Sequence, residues 1–305
     1  MAGRTPPWCS TNHRTGAVRE QSIERLMPPV RLRLKSGADA ERAREVLHER
    51  IEAAHRITSA GVGSQHEAGH RIRMAYIEWA EATESVLQEL TFDTDMTTAL
   101  HTQRYWRIRQ PGDPRPHPLV YAEVRQQVDW LSAVLKDLTQ RVLRARVAGG
   151  HIAVLDTHVL LHYQPPEEID WIEVAGTAPL RLVIPLRVIE EVDAKKYSGR
   201  DLADRARRLL PALRRKMGKA GAPGALREGV SIEVSVDPGP RWRPADADEE
   251  ILNTCHELRQ LSGQPVVLVT GDTGMTLRAE AEEIPVVSMP EKYLRNRTQG
   301  TGGRA

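Results

Sequence analysis

The hydrophobic residues of the first half of the chain recur at three- and four-residue spacings, a pattern typical of amphipathic helices. One helix is predicted from Asp39 onward, and a Gly/Ser-containing break at 58–64 separates it from a second helix. A third, longer helix is predicted to end at the Gly149-Gly150 pair. Four prolines within 110–118 are predicted to exclude helix from that segment. Helices joined by short breaks, without strands, indicate a helical bundle.

After Gly150 the pattern changes to short apolar runs, which predict buried strands at 152–155, 182–184, 230–236, 266–269 and 284–287. Helical periodicity fills the gaps between these runs. Strands that alternate with helices predict a three-layer α/β/α domain with a central parallel sheet. The predicted organisation is a disordered tail over 1–30, an all-α bundle over 31–148, the α/β domain over 149–293 and a second disordered tail over 294–305.

The composition, with 40% hydrophobic and 28% charged residues, is that of a soluble globular protein. No apolar stretch approaches the ~20 residues needed to cross a bilayer, and the polar, proline-rich start carries no signal core. Two cysteines, Cys9 and Cys255, cannot form a disulfide framework. A cytoplasmic location without membrane attachment is therefore expected.

Acidic residues stand where the predicted strands end. Asp156 directly follows the first strand, Asp272 closely follows the fourth, Glu190 and Glu191 lie on the helix after the second, and Asp248 begins another helix. In an open parallel sheet such positions meet in one crevice. Carboxylates packed together repel one another, so a bound divalent cation with oxygen ligands is the simplest explanation. For each aspartate taken singly, a helix N-cap remains the alternative.

Four stretches carry these acids, namely D-T-H-V-L-L-H at 156–162, I-P-L-R-V-I-E-E-V-D at 184–193, D-E-E-I-L at 248–252 and V-L-V-T-G-D at 267–272. In their type, order and strand context they resemble the PIN domain family from His151 to about Tyr293. The resemblance implies a metal-dependent nuclease fold that uses Mg²⁺ or Mn²⁺. It also implies that the catalytic, metal-binding acids are Asp156, Glu191, Asp248 and Asp272.

The resemblance favours Glu191 over Glu190, because the family glutamate precedes an apolar residue. It favours Asp248 over Asp246, because the family aspartate stands three residues before an aliphatic one. Side chains expected to support the metal ligands are Thr157, His158, Glu190, Asp193, Asp246 and Thr270. The chain departs from the family at His158, where Asn is usual; a supporting hydrogen bond is the expected role, with direct ligation as the alternative.

Ten basic residues lie between Lys195 and Lys219, opposed only by Asp201 and Asp204. We call this segment the basic run. It is predicted to edge the acidic crevice and to bind the phosphate backbone of a nucleic acid, although a solvated helix face is the simpler structural interpretation. The residues expected to contact RNA are Lys195, Lys196, Arg200, Arg207, Arg208, Arg214 and Arg215.

These features predict a ribonuclease that hydrolyses phosphodiester bonds of single-stranded RNA. The first alternative is a non-enzymatic PIN-like domain that binds RNA or scaffolds a complex, which the His158 departure keeps open. The second is a zinc protease, since His66, Glu67 and His70 fit the H-E-x-x-H pattern; the preceding Gly/Ser break and Gly69 disfavour it. Besides RNA, a homo-oligomer or a protein partner is expected through the helical bundle.

Overall fold

The computed structural model describes residues 30–59, 65–110, 116–147, 149–217, 223–235 and 246–295. The two predicted tails lie outside these ranges, apart from residues 30, 294 and 295. The described residues form two compact units. One unit comprises 30–33 and 45–137, and the other comprises 34–44 together with 138–295.

The first unit is built from helices, as the spacing of apolar residues predicts. The helices are α1 (Ala40–Ser59), α2 (Gln65–Leu90), α3 (Thr94–Thr98), α4 (Gln103–Arg109) and α5 (Pro116–Val147). Helix α1 starts after Asp39, whose carboxylate accepts the backbone N–H groups of Glu41 and Arg42. Its predicted apolar stripe is buried, including Ala43 and Leu47. Helices α1 and α5 are each divided between the two units. Residues 45–59 of α1 and 116–137 of α5 belong to the first unit, and residues 40–44 and 138–147 belong to the second.

The proline-rich segment differs in part from its prediction. Pro116 and Pro118 lie in the first turn of α5, so the exclusion of helix from 110–118 is wrong for its last residues. Backbone N–H groups of a first turn have no intrahelical acceptor, so proline removes no hydrogen bond there. Pro111 and Pro114 lie outside the described residues.

The second unit is the predicted three-layer α/β/α domain. Its described strands are β1 (His151–Leu155), β2 (Leu180–Pro185), β3 (Gly224–Arg227), β4 (Val230–Ser235), β5 (Val266–Thr270) and β6 (Val286–Ser288). Its described α-helices are α6 (Thr157–His162), α7 (Trp171–Ala175), α8 (Leu186–Ala194), α9 (Arg200–Lys216), α10 (Ala247–Ser262) and α11 (Thr273–Ala281). One-turn 3₁₀ helices span Lys195–Tyr197 and Glu291–Tyr293.

The described strands form one sheet in the order β3-β4-β2-β1-β5-β6. All neighbouring pairs are parallel except β3 and β4. Strand β3, a four-residue edge strand whose residues alternate between buried and exposed, is absent from the predicted strands. A turn at Glu228-Gly229 joins it to β4, and Gly229 adopts a left-handed conformation with φ of 70°. Strand β1 lies at the centre of the parallel part, so its carboxyl end is flanked by those of β2 and β5.

Residues outside the predicted 149–293 range pack into this unit. The guanidinium of Arg181 on β2 donates to the carbonyl of Ala145 at 2.7 Å, near the end of α5. Arg141 pairs with Glu257 of α10 at 3.0 Å. Among the described residues, this unit therefore also includes 34–44, 138–147, 294 and 295, which lie outside the predicted range.

Candidate metal centre

Asp156 is the most buried of the four predicted metal-binding acids. Its backbone N–H donates to the Val269 carbonyl at 3.2 Å, so the residue after β1 is still held against β5. Its side chain occupies the N-cap position of α6 but forms no capping hydrogen bond. Instead, Oδ2 accepts the hydroxyl of Thr270 at 2.6 Å, and only 6% of the residue is exposed. The strongest described contact of this side chain is therefore with Thr270 of β5 rather than with the start of α6.

The pKa of Asp156 is raised, mainly because burial penalises the charged carboxylate. The Thr270 hydroxyl, the nearby backbone amides of His158 and Thr157, and the charge of His158 act in the opposite direction without cancelling the effect of burial. A raised pKa shows that the described surroundings do not fully stabilise a negative charge at this position.

Two other acids share the crevice with Asp156. Glu191 on α8 accepts the hydroxyl of Thr157 at 2.5 Å, which ties it to the first residue of α6. The pKa of Asp248 is raised, first by burial and then by the charge of Asp246, and the charges of Asp156 and Glu191 add to the effect. We call Asp156, Glu191 and Asp248 the acid cluster. Its members come from three different elements and repel one another electrostatically.

Asp272 and Asp246 serve as helix N-caps. Asp272 accepts the Met275 N–H at 3.0 Å at the start of α11, and Asp246 accepts the Asp248 N–H at 3.1 Å at the start of α10. The backbone N–H of Asp272 also donates to the Thr270 hydroxyl at 3.0 Å. That hydroxyl in turn donates to Asp156, so Asp272 is joined to the acid cluster through Thr270.

Arg278 on α11 lies at the edge of the acid cluster. Its Nη1 is 2.5 Å from Asp246 Oδ2 and 3.3 Å from Asp248 Oδ2. This guanidinium lowers the pKa of Asp246 and opposes the rise in the pKa of Asp248. Arg278 is not among the predicted site residues, because nothing in its local pattern distinguishes it from other arginines on exposed helix faces.

His158 packs beneath the loop that follows β5. Its ring centroid lies 4.5 Å from that of His162 and 5.9 Å from that of Tyr163. A Cβ at Gly271 would lie 2.9 Å from His158 Nδ1 and 2.4 Å from Tyr163 Oη, so only glycine fits there. The buried Nδ1 has no hydrogen-bond partner among the described residues. The described contacts of the His158 ring are with His162 and Tyr163, and the predicted supporting hydrogen bond remains a prediction.

The remaining predicted supporting residues face outward. Glu190 is exposed on α8. Asp193 is exposed as well and forms an ion pair with Lys196 at 2.5 Å. Neither side chain is among the acids that raise the pKa of Asp248.

Some residues of the basic run are buried and others are exposed to solvent. Arg205 is buried and donates to the carbonyls of Leu160 at 3.1 Å and Tyr163 at 2.7 Å, so it holds the carboxyl end of α6. Burial lowers the pKa of Arg205 to about 10. Of the residues expected to contact RNA, the exposed members on α9 are Arg207, Arg208, Arg214 and Arg215. Lys195 is exposed and Lys196 partly exposed on the adjacent 3₁₀ turn, whereas the side chain of Arg200 lies outside the described part.

The H-E-x-x-H segment is helical, because α2 begins at Gln65 and runs through Gly69. The side chain of His66 lies outside the described residues, and Glu67 and His70 are exposed. No group of three His, Cys, Asp or Glu side chains close enough to hold a metal ion is found in the described part of the chain. The described side chains of this segment therefore give no support to a zinc site.

The fold agrees with the comparison to protein families. Residues 153–290 match the family described as PIN domain. This part of the chain is a PIN domain. PIN domains are usually nucleases and generally use divalent metals. No curated protein matches the chain.

Among solved structures, the chain is similar to a domain of a functionally unknown protein from Methanocaldococcus jannaschii DSM 2661. The identity is 18%, the match covers 46% of this chain and 92% of that one, and the TM-score is 0.32. In the described part of the chain, no helix combines the length and apolarity needed to cross a membrane.

The donor set of the PIN domain fits a hard divalent cation. The acid cluster supplies carboxylate oxygens, the ligand type that a hard divalent cation prefers. Mg²⁺ is usually bound by one or two carboxylates and retains several waters, so three converging side chains are not required. The lack of a three-ligand group among the described residues is compatible with such a site.

Proposed function

We propose that the PIN domain is a metal-dependent ribonuclease that hydrolyses phosphodiester bonds of single-stranded RNA. The observation that supports it best is the acid cluster, in which a buried aspartate at the end of the central strand faces two further carboxylates. The charges of Asp156 and Glu191 both raise the pKa of Asp248, so acids from three separate elements act on one another in this crevice.

Mg²⁺ or Mn²⁺ would be held by one or two carboxylates of the acid cluster, and the remaining acids, Asp272 among them, would act through waters that the ion retains. When bound, the ion supplies an activated water and stabilises charge at phosphorus. Thr270 holds Asp156, and Thr157 holds Glu191, so both carboxylates are fixed before any ion arrives. The exposed arginines of the basic run would bind the RNA backbone beside the crevice.

The test is cleavage of a mixed-sequence single-stranded RNA by the purified full chain, with Mn²⁺, with Mg²⁺ and with EDTA. Wild type should cleave only when a divalent ion is present, and Asp248→Asn should lose at least about a hundredfold in rate, the scale on which charge stabilisation acts. Asp129→Asn, which removes an exposed carboxylate from α5, is the matched control and should cleave normally. A duplex of the same sequence should be cleaved more slowly.

Two outcomes would overturn the proposal in different ways. RNA binding without cleavage under any metal condition points to the binding or scaffold role. Cleavage that survives equally in EDTA and in Asp248→Asn excludes the acid cluster as the site.

A further inference from the structure

Arg278 combines two ion pairs through a single nitrogen. Its Nη1 lies between carboxylates of Asp246 and Asp248, both at the start of α10, although Arg278 belongs to α11. Asp246 is fixed by its capping hydrogen bond through Oδ1, while its other oxygen, Oδ2, holds the guanidinium. The side chains of the three residues are between 42% and 51% exposed, so solvent and ions can reach the arrangement.

The position matters because Asp248 belongs to the acid cluster. A cation that binds Asp248 through Oδ2 must share that oxygen with Arg278 or displace the arginine, and one that binds through Oδ1 still brings a second positive charge to the same carboxylate, where the two charges repel. Asp246 has the opposite influence, because its 2.5 Å contact holds the guanidinium more closely than the 3.3 Å contact of Asp248 does.

We propose that Arg278 is a built-in counter-cation that competes with the divalent ion for Asp248, and that Asp246 limits this competition by holding the guanidinium. The inference rests on the proposed metal site and adds a residue that tunes its affinity. Arg278 binds no metal itself. When the divalent ion displaces Arg278 from Asp248, the guanidinium remains paired with Asp246 alone.

The two partners therefore have opposite effects on metal affinity. Arg278→Gln removes the competitor and should lower the Kd for Mn²⁺ about fivefold, equivalent to about 1 kcal/mol, near the upper limit for an exposed ion pair. Asp246→Asn leaves Arg278 free to pair fully with Asp248 and should raise the Kd about two- to threefold. Asn is as good an N-cap as Asp, so α10 should remain intact. In the double variant, Asp246→Asn should have a smaller effect than in wild type, because only the direct effect of its charge on Asp248 remains.

The experiment is calorimetric titration of the RNA-free full chain with Mn²⁺, supported by the Mn²⁺-induced shift of the thermal unfolding midpoint. Arg144→Gln is the matched control, since it removes an equal charge from an exposed helix position elsewhere in the same unit. Arg278→Lys keeps the charge and should stay close to wild type. Metal-free unfolding midpoints establish that every variant is folded.

Equal tightening by Arg278→Gln and Arg144→Gln would show an effect of net charge and overturn the inference. Unchanged affinity in Arg278→Gln would overturn it as well. Weakening by Asp246→Asn that is as large in the Arg278→Gln background as in wild type would show that Asp246 does not act through Arg278, and would overturn its proposed role. If wild type binds no Mn²⁺, the metal site itself is refuted. If wild type binds Mn²⁺ and all variants bind it equally well, only the role of Arg278 is refuted.

Discussion

Two buried carboxylates, one in each unit, have very different surroundings. Glu123 in the helical unit is fully buried, and its Oε1 accepts Thr102 at 2.6 Å and Gln127 at 2.9 Å, while Oε2 accepts Arg104 at 2.7 Å. A cation and several neutral donors therefore satisfy this charge from within the fold. Such an acid stabilises the packing of α2, α4 and α5 and requires nothing from solution.

Asp156 in the PIN domain is almost as buried, but the groups that act on its pKa are hydroxyl and amide donors and the ring of His158 rather than an arginine. Its hydrogen bond from Thr270 offers a neutral donor, and Asp248 and Glu191 add negative charge to the crevice. Burial alone therefore does not distinguish a structural acid from a functional one. The distinguishing property is whether the fold itself supplies the positive charge.

The largest expected effect on stability comes from breaking an ion pair of a buried acid inside the PIN domain. Arg181 and Glu233 form a buried ion pair across β2 and β4, with 5% and 9% of their side chains exposed. Arg181→Met leaves Glu233 buried and unpaired, and should lower the free energy of unfolding by about 4 kcal/mol. Adding Glu233→Leu should restore most of the loss, which urea unfolding of the single and double variants will measure. Equal stability of wild type and Arg181→Met would show that the pair does not support the sheet.

A smaller loss of stability is expected when Glu123, the buried acid of the helical unit, is neutralised. Glu123→Gln replaces the charged partner of Arg104 by an amide and should lower the free energy of unfolding by about 2 kcal/mol. This is less than for Arg181→Met, because 37% of the Arg104 side chain is exposed and water can compensate it. Asp156→Asn, the equivalent change in the PIN domain, should cause no loss in EDTA. If both substitutions destabilise the metal-free protein equally, the contrast between the two acids is wrong.

The pH dependence of stability should differ between wild type and Asp156→Asn. The folded, metal-free protein holds the Asp156 proton more tightly than the unfolded chain, because burial raises its folded pKa. Wild type therefore loses stability as pH rises from about 3.8, the unfolded value, through the raised folded pKa. A tenfold difference in proton affinity between the folded and unfolded states corresponds to about 1.4 kcal/mol of stability. Unfolding in EDTA at pH values from about 3 to 8 measures this loss, and a constant difference between the two proteins would contradict it.

The smallest effect on stability is expected from the basic run. Changing Arg207, Arg208, Arg214 and Arg215 to Gln alters exposed side chains and should change the unfolding free energy by less than about 0.5 kcal/mol each. The same changes should weaken RNA binding and make its salt dependence shallower, by up to ~0.7 per lost phosphate contact on a log–log plot. An unchanged slope would assign these arginines to an ordinary solvated surface.

Much of the fold could be predicted because the informative patterns are local. The apolar runs of β1 and β5 mark buried strands, and Asp156 directly follows the first of them. The short edge strand β3 could not be predicted in this way, since Gly224–Arg227 contains little of the β-branched or aromatic character of a central strand. The prediction for Pro116 and Pro118 is wrong because the effect of proline depends on its position within a helix.

The surroundings of the acids could not be predicted, because they depend on contacts between distant segments. Arg278 and Asp246 are 32 residues apart in sequence, and Arg181 and Glu233 are 52 apart. Buried Arg205 had a weak local signal, since it lies three residues after Leu202 and four before Leu209, on the apolar face of α9. Its partners, the carbonyls at the end of α6, leave no mark in the sequence.

The central claim is that the acid cluster needs a cation from solution, and the Mn²⁺ response of the unfolding midpoint tests it most directly. Wild type and Asp129→Asn should both gain stability as Mn²⁺ is added, because a ligand that binds only the folded state stabilises it by mass action. Asp156→Asn should gain much less, while starting from a metal-free midpoint at least as high as that of wild type. An Asp156→Asn protein that responds to Mn²⁺ as strongly as wild type would contradict the account.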